Sequence, residues 1–145
     1  MHPQLPYGTR LIGQTEKTLN AILERLLEGS GIGEREWVAL TVLLQSAPAG
    51  RAASSARVAS ALRVEPRGVD ALLDALAERG LLAEAAGSLS VTDAGRELHS
   101  RIRRRAEEIV GRLWGDISAE DRETAASVLN RTLRRATDEL TALAG

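Results

Sequence analysis

The sequence has no cysteine and no phenylalanine, and aromatic residues make up only 2% of its 145 positions. Without thiols, disulfides, thiolate-held metals and direct cysteine-based redox sensing are excluded. Apolar content is still 43%, enough to rule out a disordered chain, so the core must be built from Leu, Ala, Val and Ile. No run of 18 apolar residues occurs, and Met1-His2-Pro3-Gln4 is not a basic stretch followed by an apolar one. The expectation is therefore a soluble, cytoplasmic protein with no membrane partner. Catalytic signatures are also missing, since there is neither a Gly-rich phosphate loop nor a Gly-x-Ser-x-Gly elbow. The two histidines, His2 and His99, stand far apart with no companion ligands. No catalytic residue, metal site or cofactor is expected, and an enzyme is the least favoured class. Carboxylates such as Asp70 and Asp74 sit one helical turn apart, but such surface pairs are common and carry no chemistry alone.

Net charge is −1, so any attraction for nucleic acid must come from local distribution. From 51 to 97 there are six arginines against seven acids, whereas 98–115 holds five arginines against Glu107 and Glu108. A length of 145 residues suits one domain with a sizeable core.

What the sequence does contain is a run of short elements in its middle. Ser54 or Ser55 can cap a helix through Val58 and Leu62, and a break at Arg63-Val64 follows. Pro66 suits a first helical position, and Val69, Leu72, Leu73 and Leu76 then recur on one face until Gly80 stops the helix. Leu82–Ala85 and Leu89–Val91 flank Ala86-Gly87-Ser88, the pattern of a hairpin, after which Thr92 can cap a long helix. Helix, turn, helix and hairpin make a winged helix-turn-helix, which sets its second helix in the DNA major groove.

These residues carry a family resemblance. Ala39-Leu40, Val58-Ala59-Ser60-Ala61-Leu62, Leu76-Ala77-Glu78-Arg79-Gly80-Leu81-Leu82 and Val91-Thr92-Asp93-Ala94-Gly95-Arg96-Glu97-Leu98 resemble the MarR-type transcriptional regulators over nearly the whole chain. The fold implied is mainly α, with a winged helix-turn-helix at about 33–93 bearing a short β-hairpin wing. Long dimerisation helices at about 5–28 and 94–143 flank it within a single domain, 1–145.

The flanking helices fit this arrangement. A first helix from about Leu5 to Leu27 has an apolar face of Ile12, Leu19, Ile22, Leu23, Leu26 and Leu27. A second begins near Glu34 and aligns Trp37, Leu40, Thr41 and Leu44. After the hairpin, Leu98, Ile102, Ile109 and Leu113 mark a buried stripe. Ser118 caps a last helix in which Leu129, Leu133, Ala136, Leu140 and Leu143 repeat at spacings of 4, 3, 4 and 3, a seam for another helix. A winged unit cannot use all these faces, so a homodimer is expected.

For double-stranded DNA the candidate contacts are Ser55, Arg57, Arg63, Arg67 and Arg51. Arg67 is the one to read a base edge, because guanidinium can bond guanine twice, while Arg57 and Arg63 suit phosphates. Asp70, one turn on, would repel phosphate unless it accepts from a cytosine amine. The resembled family carries a longer wing with an Asp and arginines for the minor groove; Ala85-Ala86-Gly87-Ser88 has none, so no wing contact is assigned. The resemblance also implies a small-molecule effector in a cleft between dimerisation helices and winged unit, which Tyr7, Arg10, Trp37 and His99 could reach. The expected function is a ligand-responsive repressor on a pseudo-palindromic operator. The alternative is a winged-helix dimer with weak or lost DNA binding that acts through protein contacts.

Overall fold

The computed structural model describes residues 3–145; Met1 and His2, and with them the reading of the extreme amino end, lie outside the described residues. Helix α1 spans Thr9–Leu27, later than the expected start at Leu5. Leu5 precedes a proline, which pushes it out of helical geometry, and Gly8 adds the cost of an unconstrained backbone. Helix α2 (Glu34–Leu44) carries Glu34 and Glu36 in its first turn, where carboxylates meet the positive helix end. The Glu36 carboxylate accepts a hydrogen bond from the Gly33 N–H at 3.0 Å.

Helix α3 runs from Arg51 to Leu62, so Ser54 and Ser55 are not its caps. The Ser54 N–H bonds the Gly50 carbonyl at 3.0 Å in regular helical pattern, and both serines face the core. Ala52 and Ala53 extend the helix backwards because alanine has the least to lose in helical geometry. At the turn, Arg63 adopts a left-handed conformation (φ 55°), and the Val64 N–H returns to the Ala59 carbonyl at 3.0 Å. Pro66–Gly68 form a single 3₁₀ turn before α4 (Asp70–Glu78), so the proline opens a tighter turn than the α-helix expected there. Gly80 (φ 73°) ends the helix, letting the Leu81 N–H reach the Leu76 carbonyl at 2.9 Å.

Strands β1 (Leu82–Ala85) and β2 (Ser88–Val91) pair antiparallel, with Leu82 opposite Val91 and Ala85 opposite Ser88. Only Ala86 and Gly87 form the loop, both with positive φ (53° and 75°), the signature of a type I′ turn. The Leu89 N–H also bonds the Ala49 carbonyl at 2.8 Å, tying the α2–α3 loop to the hairpin. Helix α5 (Asp93–Trp114) starts under the expected Thr92 cap: its hydroxyl accepts from the Gly95 N–H at 3.1 Å and donates to the Gly80 carbonyl at 2.6 Å. Gly95 is needed there, because a Cβ would collide with the Leu81 carbonyl oxygen and the Val91 side chain.

The chain packs as two units, one through Ala106 and one from Glu107 to Gly145. The first holds the aliphatic core, in which Leu40, Val58, Val69, Leu73 and Leu76 are wholly enclosed and Leu82, Leu89, Val91, Leu98 and Ile102 close the sides. Leu26 and Leu27 are the buried residues of α1; the rest of its apolar face is half-covered. The second unit holds the end of α5 and helix α6 (Ala119–Ala144), whose first turn is capped by the Ser118 hydroxyl, accepting from the Asp121 N–H at 3.1 Å. No residue of α6 is buried, and the expected α5 stripe is buried only at Leu98 and Ile102. Among the described residues no helix is long and apolar enough to cross a membrane.

Candidate nucleic-acid interface and ligand cavity

The helix-turn-helix consists of α3, the Arg63–Val69 turn and α4. Val69, Leu73 and Leu76 point into the core, so the 3.6-residue period turns Asp70, Ala71, Asp74, Ala75 and Glu78 outward. Arg67 is exposed on the 3₁₀ turn that leads into α4, the position from which a side chain meets the groove first. Arg63 is exposed at the turn, and Arg57 is exposed with its guanidinium donating to the Ala47 carbonyl at 3.3 Å.

Two expected contacts are corrected by the structure. Ser55 retains only 5% of its surface, and its hydroxyl is buried without a partner, so it cannot reach DNA. It faces inward because it lies three and four residues from the buried Val58 and Ala59 on the same side of α3. Arg51 is directed at carboxylates instead: its guanidinium is paired with Asp74, lies 3.5 Å from Asp70 Oδ1 and 3.5 Å from Glu84 Oε2, and donates to the Asp70 carbonyl oxygen at 3.2 Å. The Asp74 hydrogen bond, with Asp70 and Glu84 behind it, raises the Arg51 pKa above its ordinary value. All these groups are partly solvated, so each pair contributes about 0.2–1 kcal/mol. Their arrangement matters more: α3, α4 and β1 are joined by one cation, and acids on the outward face of α4 are partly neutralised.

A cavity of about 540 Å³ opens between α2 and α5, lined by Trp37, Thr41, Leu44, Gln45, Arg96, His99, Ser100 and Arg103. Trp37 and His99 stack with ring centroids 4.2 Å apart and planes 11° from parallel. The His99 Nε2 lies 2.9 Å from the Thr41 hydroxyl, which donates to the Trp37 carbonyl at 2.8 Å. Burial, reinforced by the Arg103 charge, lowers the His99 pKa. Of the four residues expected at a ligand cleft, the structure brings Trp37 and His99 together. Tyr7, 61% exposed, and Arg10 do not line this cavity. Thr41, Gln45, Arg96, Ser100 and Arg103 were not singled out for it; the signal available was the i, i+3, i+4, i+7 spacing of Arg96, His99, Ser100 and Arg103 along one face of α5.

Neither a protein-family model nor a curated protein matches the sequence. Solved structures do. The transcriptional regulator PA3341 superposes with a TM-score of 0.75 at 22% identity, over 89% of this chain and 97% of that one. The MarR family protein Rv2887 of Mycobacterium tuberculosis, in complex with DNA, gives 0.67 at 22% identity over 89% and 98%. CouR from Rhodococcus jostii RHA1, bound to p-coumaroyl-CoA, gives 0.67 at 20% identity over 86% and 87%. This chain has the MarR winged-helix fold. At such identities the fold is what is shared, and the hairpin of this chain has a two-residue loop and no basic side chain on it.

The remaining candidates of the MarR fold are on α6. Leu129, Leu133, Ala136, Leu140 and Leu143 are all exposed. Among the described residues no group of His, Asp and Glu is arranged to hold a metal ion.

Proposed function

We propose that this chain is a cytoplasmic DNA-binding transcriptional regulator of the MarR type, a homodimeric repressor of a two-fold-related operator that is relieved when a small molecule enters the α2–α5 cavity. The observation that carries this reading is the fold shared, over 89% of this chain, with a MarR protein in complex with DNA. Arg67 reads a base edge from the start of α4, while Arg57 and Arg63 meet phosphates. Arg51 serves as the internal counter-ion of Asp70, Asp74 and Glu84 rather than as a contact. The resemblance to CouR with its bound p-coumaroyl-CoA supports a ligand-responsive regulator. Coupling has a physical route: Gly95, in the first turn of α5, lies directly on Val91 of the hairpin and on Leu81 just before it, and α2 packs on α3. A ligand that prefers one α2–α5 spacing therefore biases hairpin and reading helix together, and with them the half-site separation.

One observation favours the protein-contact alternative: three carboxylates, Asp70, Asp74 and Glu84, surround the Arg51 guanidinium beside α4. Binding to the DNA upstream of the chain's own gene, followed by fluorescence anisotropy at two salt concentrations, separates the two readings. A regulator binds specifically and loses affinity with salt. Arg67→Ala then costs about 1–3 kcal/mol of discrimination at one position per half-site. Arg57→Ala and Arg63→Ala each reduce the salt slope by about 0.9 per lost phosphate contact, and Asp74→Asn tightens binding by removing a negative charge. Binding that is weak, non-specific and unchanged by Arg67→Ala overturns this proposal in favour of protein contacts.

A further inference from the structure

Helix α4 is short and has few apolar anchors. Of its nine residues only Leu73 and Leu76 are buried, which fixes the side that faces the core but leaves the tilt of the helix to whatever grips its ends. At the amino-terminal end the Arg51 guanidinium reaches Asp74 and the Asp70 carbonyl. At the other end the grip runs outwards. Arg79, the residue that closes α4, donates from its guanidinium to the Gly31 carbonyl, 48 positions earlier in the chain.

Gly31 is a firm point to hold. It lies in the α1–α2 loop, where the Ser30 hydroxyl donates to the Leu27 carbonyl at 2.6 Å and accepts from the Ile32 N–H at 3.2 Å, and both Leu27 and Ile32 are buried. Gly31 has φ 82°, and a Cβ on it would run into the Arg79 guanidinium, so only a missing side chain leaves room for the contact. A cation at this end of a helix also meets the negative pole of the backbone dipoles. On the far side of Arg79, the Gly80 carbonyl accepts at 2.6 Å from the hydroxyl of Thr92, the cap of α5. The carboxyl-terminal end of α4 is thus bonded both to the loop that follows α1 and to the start of α5.

We propose that Arg79 is a positioning residue for DNA recognition, its bond to Gly31 locking the tilt of α4 against the α1–α2 loop. This role rests on α4 being the helix that reads DNA. Arg79 stands at the opposite end of α4 from Arg67 and acts through the helix, not on a base. Contacts to base edges demand one orientation of α4, whereas attraction to phosphates carries no such demand. Without the bond α4 samples several tilts and the operator must select one, a cost that falls on specific binding alone.

The test compares the full chain with its variants by fluorescence anisotropy, on the DNA upstream of its own gene and on a scrambled duplex of equal length, at two salt concentrations and well below each melting temperature. Arg79 is exposed, so Arg79→Ala should fold. It should lower the ratio of specific to non-specific affinity by about two- to tenfold, the range for one net hydrogen bond, while non-specific affinity and the salt slope stay as in the unmodified chain. Arg79→Lys, which keeps a charged donor, should recover part of the ratio. Gly31→Ala sets a methyl group where the guanidinium lies and should reproduce the loss from the other partner. In the double variant the two losses should not add. An unchanged ratio in Arg79→Ala, even with a lowered melting temperature, overturns the proposal, because the bond is then merely structural. Weaker binding to both duplexes with a salt slope reduced by about 0.9 overturns it as well, since Arg79 would then be meeting a phosphate. Losses that add in the double variant overturn it too. An unmodified chain that does not distinguish the two duplexes overturns the DNA reading itself, and the positioning role with it.

Discussion

His99 gives the fold a pH dependence of its own. Its pKa in the folded chain is lowered by burial and by Arg103, whereas in the unfolded chain it titrates near the ordinary value of about 6.5. Between the two values the unfolded chain binds more protons, so stability from this residue is complete above about pH 6.5 and is lost as pH falls towards the folded pKa. Ligand-free protein should therefore melt at a lower temperature at about pH 5.5 than at about pH 7.5. In His99→Gln this part of the difference should disappear, which melts followed by circular dichroism would reveal. An identical pH dependence in both proteins would mean that His99 is not held neutral. The sequence offered Trp37 and His99 singly, but their stacking joins positions on two helices separated in the chain by α3, α4 and the hairpin, and no local period encodes that. Ser55 misled for a related reason: a serine near a helix start looks like a cap until the helix is found to begin at Arg51 and to turn that residue inward. The role of Arg51 depended on Asp70, Asp74 and Glu84 meeting in space.

At the scale of elements the hairpin offers the sharpest test. Ala86 holds φ 53° in a two-residue loop, a left-handed conformation that costs an ordinary L-residue about 1–2 kcal/mol. Asparagine visits this region more readily, and Asn-Gly is the favoured type I′ pair. Ala86→Asn should stabilise the first unit by about 0.5–1 kcal/mol, measured by urea unfolding; a destabilised variant would refute the I′ assignment. The pattern of elements was legible because it is local. Val69, Leu72, Leu73 and Leu76 recur with helical period, Gly80 ends the helix by a bond only its left-handed backbone permits, and Thr92 caps α5 as its position suggested. Element starts were less legible: α1 begins four residues late behind Pro6 and Gly8, α3 four or five residues early on Arg51 and two alanines, and Pro66 opens a 3₁₀ turn. At these starts several weak preferences compete, and the backbone bonds that choose among them, such as that from Ser54 to Gly50, leave no residue-type signal.

For the whole molecule the unanswered surface is α6. A 26-residue helix with no buried residue gains little from packing in the single chain, although tertiary packing supplies most helical stability in proteins. Its seam of Leu129, Leu133, Ala136, Leu140 and Leu143 repeats at the spacing of a helix partner, and the proposed partner is a second copy. Leu133 and Leu140 are 54% and 58% exposed in the single chain, so replacing both with lysine should leave the fold of one chain nearly intact. The cost falls on association: two leucines from each of two copies, at about 1.5–3 kcal/mol each, remove roughly 6–12 kcal/mol. That weakens dimerisation by a factor of at least about 10⁴. The expected outcome in sedimentation equilibrium is a dimer for the unmodified chain at micromolar concentration and a monomer with native circular dichroism for Leu133→Lys/Leu140→Lys. An unmodified chain that is monomeric, or a double variant that stays dimeric, would refute the seam. The same variant tests the operator, since one chain can occupy only one half-site. It should retain weak, salt-sensitive binding but lose the preference for paired half-sites, and undiminished specific binding by the monomer would mean that the site is not two-fold.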